Sequence, residues 1–195
     1  RVTGGGFQTV VNRSATGLYK IPPSALADEL WMVEPVSCVV TAMDTCGLRV
    51  GDRVAVNGCG FMGLVLVQML AHSCCDRIVG FDVVEPRLNV ARQCGASEVY
   101  NLSSCDADEL AKSMRERSID IVFDTSGAQA GLDFATRIVR KGGLISLFGW
   151  MKGRQASFDP TAWHLGGFTV VNSSPMAKVR DPLPSAIRLI DRGIV

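Results

Sequence analysis

The chain has 195 residues, a formal net charge of +1 and 47% hydrophobic residues. A chain of this length can bury one core of ordinary size. Its near-neutral charge excludes the basic surface with which proteins attract nucleic acid or an anionic membrane. Its longest apolar stretch, near residues 63–71, is far shorter than the roughly 18 residues of a membrane-spanning helix. We therefore expect no nucleic-acid partner and no membrane partner.

The cysteines indicate a reducing environment. There are seven of them, an odd number, and two are adjacent at positions 74 and 75. Most lie in apolar segments, which argues against the disulfide framework of a small secreted protein and predicts a cytoplasmic location. No Cys-x-x-Cys pair occurs, and the two histidines are far apart in the sequence. The sequence therefore does not predict a self-contained zinc site.

The first two dozen residues differ from the rest of the chain. Residues 6–12 and 18–21 are predicted as short strands, followed by Pro22 and Pro23. These strands have no core of their own. We interpret residues 1–23 as a remnant of another domain and residues 24–195 as one separate domain.

From residue 53 onward, short apolar strands alternate with amphipathic helices. Strands are predicted at residues 53–57, 77–82, 98–100, 120–124, 143–148 and 168–172. Helices are predicted at residues 61–73, 86–94, 106–116, 128–139 and 182–192, and a further helix at about residues 34–46 precedes the first strand. This alternation is typical of a parallel sheet covered on both faces. It predicts an α/β, doubly wound (Rossmann) sheet of six strands in the order 3-2-1-4-5-6.

A glycine-rich motif, G-x-G-x-x-G, separates the first predicted strand from the helix after it. Gly58 permits a tight turn, Gly60 lets the backbone approach a pyrophosphate, and Gly63 lets helix and strand pack closely. The amides of Phe61, Met62 and Gly63 lie at the helix N-terminus, where the helix dipole favours a diphosphate. The motif alone is weak evidence, but its position between a strand and a helix predicts dinucleotide binding.

An acidic residue completes this fingerprint. Asp82 ends the second predicted strand, 19 residues after Gly63. Its carboxylate is expected to accept hydrogen bonds from the adenosine ribose and to repel a 2′-phosphate, which favours NAD over NADP. Arg87, in the first turn of the next helix, is a second candidate contact to this ribose. The alternative is a purely structural glycine turn, with Asp82 as an ordinary strand-end residue.

Cys59 lies inside the glycine loop, and two interpretations are open. The helix N-terminus would stabilise its thiolate and make it reactive towards alkylating agents. Alternatively, Cys59 is a small apolar residue packed in a crowded turn, which is the interpretation that we favour.

The order of several short motifs is specific in combination. They are GGFQTVV at residues 5–11, LYKIP at 18–22, EP at 34–35, VGDRV at 50–54, the glycine loop, FD at 81–82, CGA at 94–96, DIVFDTSG at 120–127, KGG at 141–143 and the segment 187–194. With them the chain resembles the medium-chain dehydrogenase/reductase superfamily, in its zinc-dependent alcohol, sorbitol and threonine dehydrogenase branch. The resemblance implies that residues 1–23 are a remnant of a GroES-like catalytic domain.

The resemblance also assigns a metal ligand. In the polyol-dehydrogenase branch, the acidic residue at the position of Glu34 lies at the catalytic zinc and binds it directly or through water. Zinc would polarise the substrate oxygen. The alternative is that Glu34 only stabilises the N-terminal end of a helix. No residue matches the cysteine and histidine ligands of the family, so the chain by itself is expected to bind NAD without forming a working zinc site.

Further cofactor contacts follow from the resemblance. Met62 is expected near the nicotinamide ring, Ser126 and Gly127 along the cofactor cleft, and backbone groups near Phe148 and Asn172 at the carboxamide. The implied activity is oxidation of a secondary alcohol or polyol by hydride transfer to NAD.

Two alternative functions remain open. One is a zinc-independent quinone or enoyl reductase of the same superfamily, against which the glycine loop, Asp82 and the Glu34-Pro35 motif argue. The other is a non-catalytic NAD-binding module. In either case the predicted strand 168–172 would lie at the sheet edge, and relatives dimerise across this strand, so we expect a homodimer.

Overall fold

Six parallel strands form one sheet in a computed structural model that describes residues 14–24, 26–149, 153, 155–174 and 179–195. The strands are β1 Arg53–Asn57, β2 Arg77–Asp82, β3 Glu98–Asn101, β4 Ile119–Asp124, β5 Val139–Leu147 and β6 Thr169–Asn172. The helices are α1 Val33–Cys46, α2 Phe61–Ala71, α3 Glu85–Gln93, α4 Ala107–Glu116, α5 Gln129–Ile138, α6 Pro160–Gly166 and α7 Leu183–Asp191. None of the described helices combines the length and the apolar character that crossing a bilayer requires.

The sheet has the order β3-β2-β1-β4-β5-β6, which confirms the predicted topology. All of its strand pairs are parallel. Asn57 at the end of β1 is in register with Phe81 on one side and with Asp124 on the other. The carboxyl ends of the central strands therefore meet at one edge, where doubly wound sheets bind their ligands.

Both faces of the sheet are covered. Alternate residues of a strand point to opposite faces, and in β1 Val54 and Val56 lie in one buried cluster while Ala55 lies in another. The first cluster contains buried residues of α1, α2 and α7, and the second contains buried residues of α4 and α5. Because apolar residues are buried on both faces, the strands read as nearly continuous apolar runs in the sequence.

The structure differs from the predictions in three places. The strand predicted at residues 18–21 is wrong: this segment is in an exposed non-strand conformation, and the Tyr19 hydroxyl donates a hydrogen bond to Asp181. The other strand predicted there, residues 6–12, lies outside the described residues, so the remnant domain stays a prediction. Helix α6 occupies a predicted connection, and Asp159 caps it by accepting hydrogen bonds from two amides. Strand β5 begins at Val139 because that residue pairs with Ile119.

Cys59 of the glycine loop is packed in the protein interior. Its side chain is 0% exposed and packs with Leu88 and Ala91 of α3. Burial, and then the nearby Asp82 carboxylate, raise the pKa of the Cys59 thiol to about 12. An activated thiolate is therefore wrong for this residue, and the packed interpretation is confirmed.

We expect Cys59 to resist alkylation by iodoacetamide at about pH 8, with or without NAD, because a buried thiol is neither accessible nor ionised. All seven cysteines are free, and Cys105 is exposed, so Cys105 serves as the internal control that reacts. Peptide mapping by mass spectrometry measures both sites in one sample. Labelling of Cys59 in the folded protein as fast as Cys105 would contradict the packing described above.

Candidate functional site

The glycine loop joins β1 to α2 and its three glycines have different surroundings. Gly58 has a φ of +103°, and a Cβ there would lie 2.8 Å from Thr125 Oγ1. A Cβ on Gly63 would collide with the carbonyl oxygen of Gly58. A Cβ on Gly60 would meet nothing within 4 Å. Gly58 and Gly63 therefore allow close packing, whereas Gly60 leaves open space in front of the backbone, as a pyrophosphate would need.

The carboxylate of Asp82 lies directly beside this loop. Asp82 is only 6% exposed, and its Oδ2 accepts a hydrogen bond from the amide of Cys59 at 2.7 Å. Its Oδ1 accepts hydrogen bonds from the amides of Val83 and Val84 at 2.8 and 2.9 Å. Sequence analysis named Asp82 as a ribose ligand and missed that it also fastens the glycine loop to the end of β2.

Arg87 accompanies this carboxylate. Its Nη1 lies 3.7 Å from Asp82 Oδ2, and its side chain is about half exposed. Because the Arg87 guanidinium is this far from the carboxylate and its side chain is half exposed, the ion pair contributes little to stability. The guanidinium stays available to a ligand in the adjacent cleft.

A cleft of about 650 Å³ opens at this edge of the sheet. Five of the predicted cofactor residues line it, namely Gly58, Gly60, Asp82, Arg87 and Ser126. Its remaining walls are formed mainly by residues from the start of α5, together with Asn57, Leu102 and Arg137. This volume falls in the range of small-molecule and cofactor sites. The structure thus brings the adenosine side of the predicted site together.

The other predicted contacts lie elsewhere. Met62 and Phe148 are partly buried against the core cluster that contains α1, α2 and α7. The Phe61 side chain is 52% exposed and lines a separate apolar groove of about 240 Å³, so only its backbone faces the loop. Asn172 is exposed at the end of β6, in register with Leu147.

A buried polar cluster lies beneath the cleft. Asp124, at the end of β4, is 2% exposed, and Asn57 is 3% exposed. Asp124 Oδ1 accepts hydrogen bonds from the amide and hydroxyl of Ser126 and from the side-chain amide of Asn57. Burial raises the pKa of Asp124, and its hydrogen bonds with Ser126 and Asn57 oppose this effect. Sequence analysis named Ser126 but missed Asn57 and Asp124, although a polar residue at the end of an apolar strand is a usable signal.

The end of β5 lies against the turn after β4. A Cβ on Gly149 would collide with the amide nitrogen of Gly127. The amides of Phe148 and Gly149 both donate to the carbonyl oxygen of Asp124, at 3.0 and 2.7 Å. The predicted contacts Gly127 and Phe148 are therefore on adjacent backbone segments, which is consistent with one continuous ligand site.

These residues fit a dinucleotide. The open space in front of Gly60, the amino end of the eleven-residue helix α2 and the carboxylate at the cleft wall are the elements that such a cofactor requires. The chemistry of a bound nicotinamide would be hydride transfer.

The described residues do not fit a zinc ion by themselves. Glu34 is exposed in the first turn of α1, and its Oε1 accepts a hydrogen bond from Cys38 Sγ at 3.2 Å. Burial, and then this contact with Glu34, raise the pKa of the Cys38 thiol to about 11. Across the part of the chain that the structure describes, no three His, Cys, Asp or Glu residues are grouped so as to hold a metal. Glu34 therefore stays a predicted ligand.

Comparison with known proteins finds relatives that are named as dehydrogenases. The sorbitol dehydrogenase of Bacillus subtilis strain 168 is 29% identical over 146 residues, which are 74% of this chain and 41% of that protein. The (R,R)-butanediol dehydrogenase of the same strain is 27% identical over 196 residues, which are 97% of this chain and 54% of that protein. The chain thus spans about half the length of the curated relatives that it matches.

Solved structures show the same fold. An alcohol dehydrogenase of Escherichia coli CFT073, solved as a complex with NADH, superposes with a TM-score of 0.79 at 22% identity, over 93% of this chain and 52% of that one. The family model described as zinc-binding dehydrogenase matches residues 62–192, which is more than half of the chain. The chain therefore belongs to the zinc-binding dehydrogenase family.

Proposed function

We propose that this chain is the NAD-binding part of a zinc-dependent dehydrogenase that oxidises a secondary alcohol or polyol by hydride transfer to NAD. The observation that carries the proposal is the glycine loop with Asp82 beside it, at the wall of a cleft of about 650 Å³. Membership of the zinc-binding dehydrogenase family supports it, as do the sorbitol and butanediol dehydrogenases among the relatives.

NAD is the proposed cofactor rather than NADP. The Asp82 carboxylate lies at the cleft wall, where a 2′-phosphate on the adenosine ribose would bring a second negative charge close to it. Arg87 is the proposed second contact, since its half-exposed guanidinium lies beside Asp82.

The remaining predicted contacts of this chain are proposed to hold the nicotinamide. In the proposal the amides at the start of α2 bind the diphosphate, and Ser126 and Gly127 line the cleft. Backbone groups near Phe148 and Asn172 meet the carboxamide, and Met62 packs near the ring. When bound, NAD supplies the hydride acceptor, while these residues hold and orient it. Glu34 is the proposed contribution of this chain to the zinc site.

Replacement of Asp82 by alanine tests the cofactor assignment. The variant loses the ribose acceptor and the bond that fastens Cys59, so we expect NAD affinity to fall by at least about tenfold. Preference for NAD over NADP should fall with it. Isothermal titration calorimetry with each nucleotide measures both effects.

The matched control is Asp76→Ala. Asp76 lies just before the other end of β2 and pairs with Arg53 on an exposed surface. This variant should bind NAD as the unchanged protein does. Absence of NAD binding by the folded, unchanged protein would overturn the proposed function, and equal affinities for Asp82→Ala and Asp76→Ala would overturn the role of Asp82.

Zinc content and turnover distinguish the three candidate functions. We expect the full-length protein that carries this chain to contain zinc and to form NADH from a polyol or a vicinal diol. Elemental analysis and absorbance at about 340 nm measure the two properties. A zinc-free protein that reduces quinones or enoyl thioesters with NADPH would favour the reductase alternative. Tight NAD binding without zinc and without turnover would favour a non-catalytic module.

A homodimer is proposed through the edge strand β6. This strand is the last of the sheet order and pairs on one side with β5. An edge strand offers backbone groups to a second copy. Light scattering at micromolar concentration should give twice the mass of one chain, and Thr169→Lys, at an exposed position of β6, should reduce it to one. A monomeric unchanged protein would contradict the proposed dimer.

The cytoplasmic location stays a prediction.

A further inference from the structure

We propose that Asp124 is a positioning residue of the dinucleotide cleft, whose buried carboxylate holds the turn after β4 against the end of β1. The turn carries Ser126 and Gly127, and the end of β1 leads into Gly58 of the glycine loop. The inference rests on the proposed function, because these groups are the expected contacts of NAD.

One carboxylate oxygen makes the connection. Asp124 Oδ1 accepts hydrogen bonds from the amide of Ser126 at 3.1 Å and from the hydroxyl of Ser126 at 2.6 Å. The same oxygen accepts a hydrogen bond from Asn57 Nδ2 at 3.3 Å. Donors from both sides of the cleft floor thus converge on a single acceptor, so a shift of either side weakens the bonds to the other.

Asn57 extends this connection to the strand end and to α5. Its Nδ2 also donates to the carbonyl oxygen of Gly131 at 2.8 Å. Its carbonyl oxygen accepts hydrogen bonds from the amide and the hydroxyl of Thr125, at 2.9 and 3.1 Å. The Thr125 hydroxyl also donates to the carbonyl oxygen of Gly58. The pairing of β1 with β4 therefore continues past the strand ends into the two loops that form the cleft.

The backbone of Asp124 adds a third segment. Its carbonyl oxygen accepts the amides of Phe148 and Gly149 at the end of β5. The glycine loop, the turn after β4 and the end of β5 each carry expected contacts of the cofactor. Asp124 contacts the last two directly and the first through Asn57.

Helix α5 packs closely against the cluster at Gly131. A Cβ on Gly131 would lie 2.9 Å from Asp124 Oδ1 and would collide with the Ser126 side chain. The cluster is therefore enclosed on the α5 side. Hydrogen bonds are directional, so a buried acceptor in this place orients the turn as apolar packing would not.

Two substitutions of Asp124 compare the loss of its hydrogen-bond acceptor with the retention of an acceptor in a side chain of similar size. Asp124→Ala removes the acceptor, whereas Asp124→Asn keeps an oxygen that can accept the same three donors. NAD affinity of the 195-residue chain is measured by calorimetry, at a temperature where circular dichroism shows each variant to be folded. We expect Asp124→Ala to bind NAD at least about tenfold more weakly, and Asp124→Asn to stay within about threefold of the unchanged protein.

Asp120→Ala is the matched control. Asp120 lies near the other end of the same strand, where its carboxylate accepts hydrogen bonds from the Arg53 amide at 2.9 Å and from Arg140 Nε at 2.6 Å. Like Asp124→Ala, this variant removes from β4 a carboxylate that accepts hydrogen bonds from other strands. It should lower thermal stability while leaving NAD affinity unchanged.

Each outcome decides the inference. Unchanged affinity in folded Asp124→Ala overturns it, as does equal weakening in the alanine and asparagine variants or in Asp120→Ala. Should Asp124→Ala not fold, Asn57→Ala takes its place, because it removes the donor that joins Asp124 to the end of β1. About threefold weaker NAD binding is expected, and unchanged affinity overturns the inference. Absence of NAD binding by the unchanged protein is a different result, because it overturns the proposed function itself.

Discussion

Two buried carboxylates hold the backbone around the cleft. They lie at the ends of β2 and β4, the two strands that flank β1. Asp82 accepts the Cys59 amide inside the glycine loop, and Asp124 accepts the Ser126 amide in the turn after β4. Burial of a carboxylate is unfavourable unless several hydrogen bonds satisfy it, and each of these two accepts three donors. Because β1 pairs in parallel with both strands, the two carboxylates lie at the same carboxyl end of the sheet. The strand pairing that forms the fold therefore also assembles the site.

The glycines and the carboxylates act together. Gly63 and Gly131 lack the side chains that would push α2 away from Gly58 or α5 away from Asp124. Close approach of the helices is what lets the short polar side chains reach backbone groups of the loops. Cys59 completes the underside of the loop as a packed apolar residue. The cleft thus has closely packed walls and open space in front of Gly60, where a diphosphate is proposed to bind.

Family membership and the site geometry support different parts of the functional proposal. The zinc-binding dehydrogenase family accounts for the reaction class, and the cleft accounts for the cofactor. The geometry of the described residues does not by itself support a zinc site, because Glu34 has Cys38 as its neighbour and no third ligand is grouped with them. The chain spans about half the length of these relatives.

The strand order, the glycine loop and the position of Asp82 were predictable from the sequence, because local periodicity and motif spacing carry that information. Prediction failed at residues 18–21, since a strand needs a partner, and at α6, whose seven residues are too few for a clear helical period. Three features could be read from the packed structure alone: Cys59 is buried, Asp82 accepts a hydrogen bond from an amide of the glycine loop, and Asn57 donates a hydrogen bond to Asp124 Oδ1. These contacts join residues 23 to 67 positions apart, and the packing of strands and helices brings them within hydrogen-bond distance.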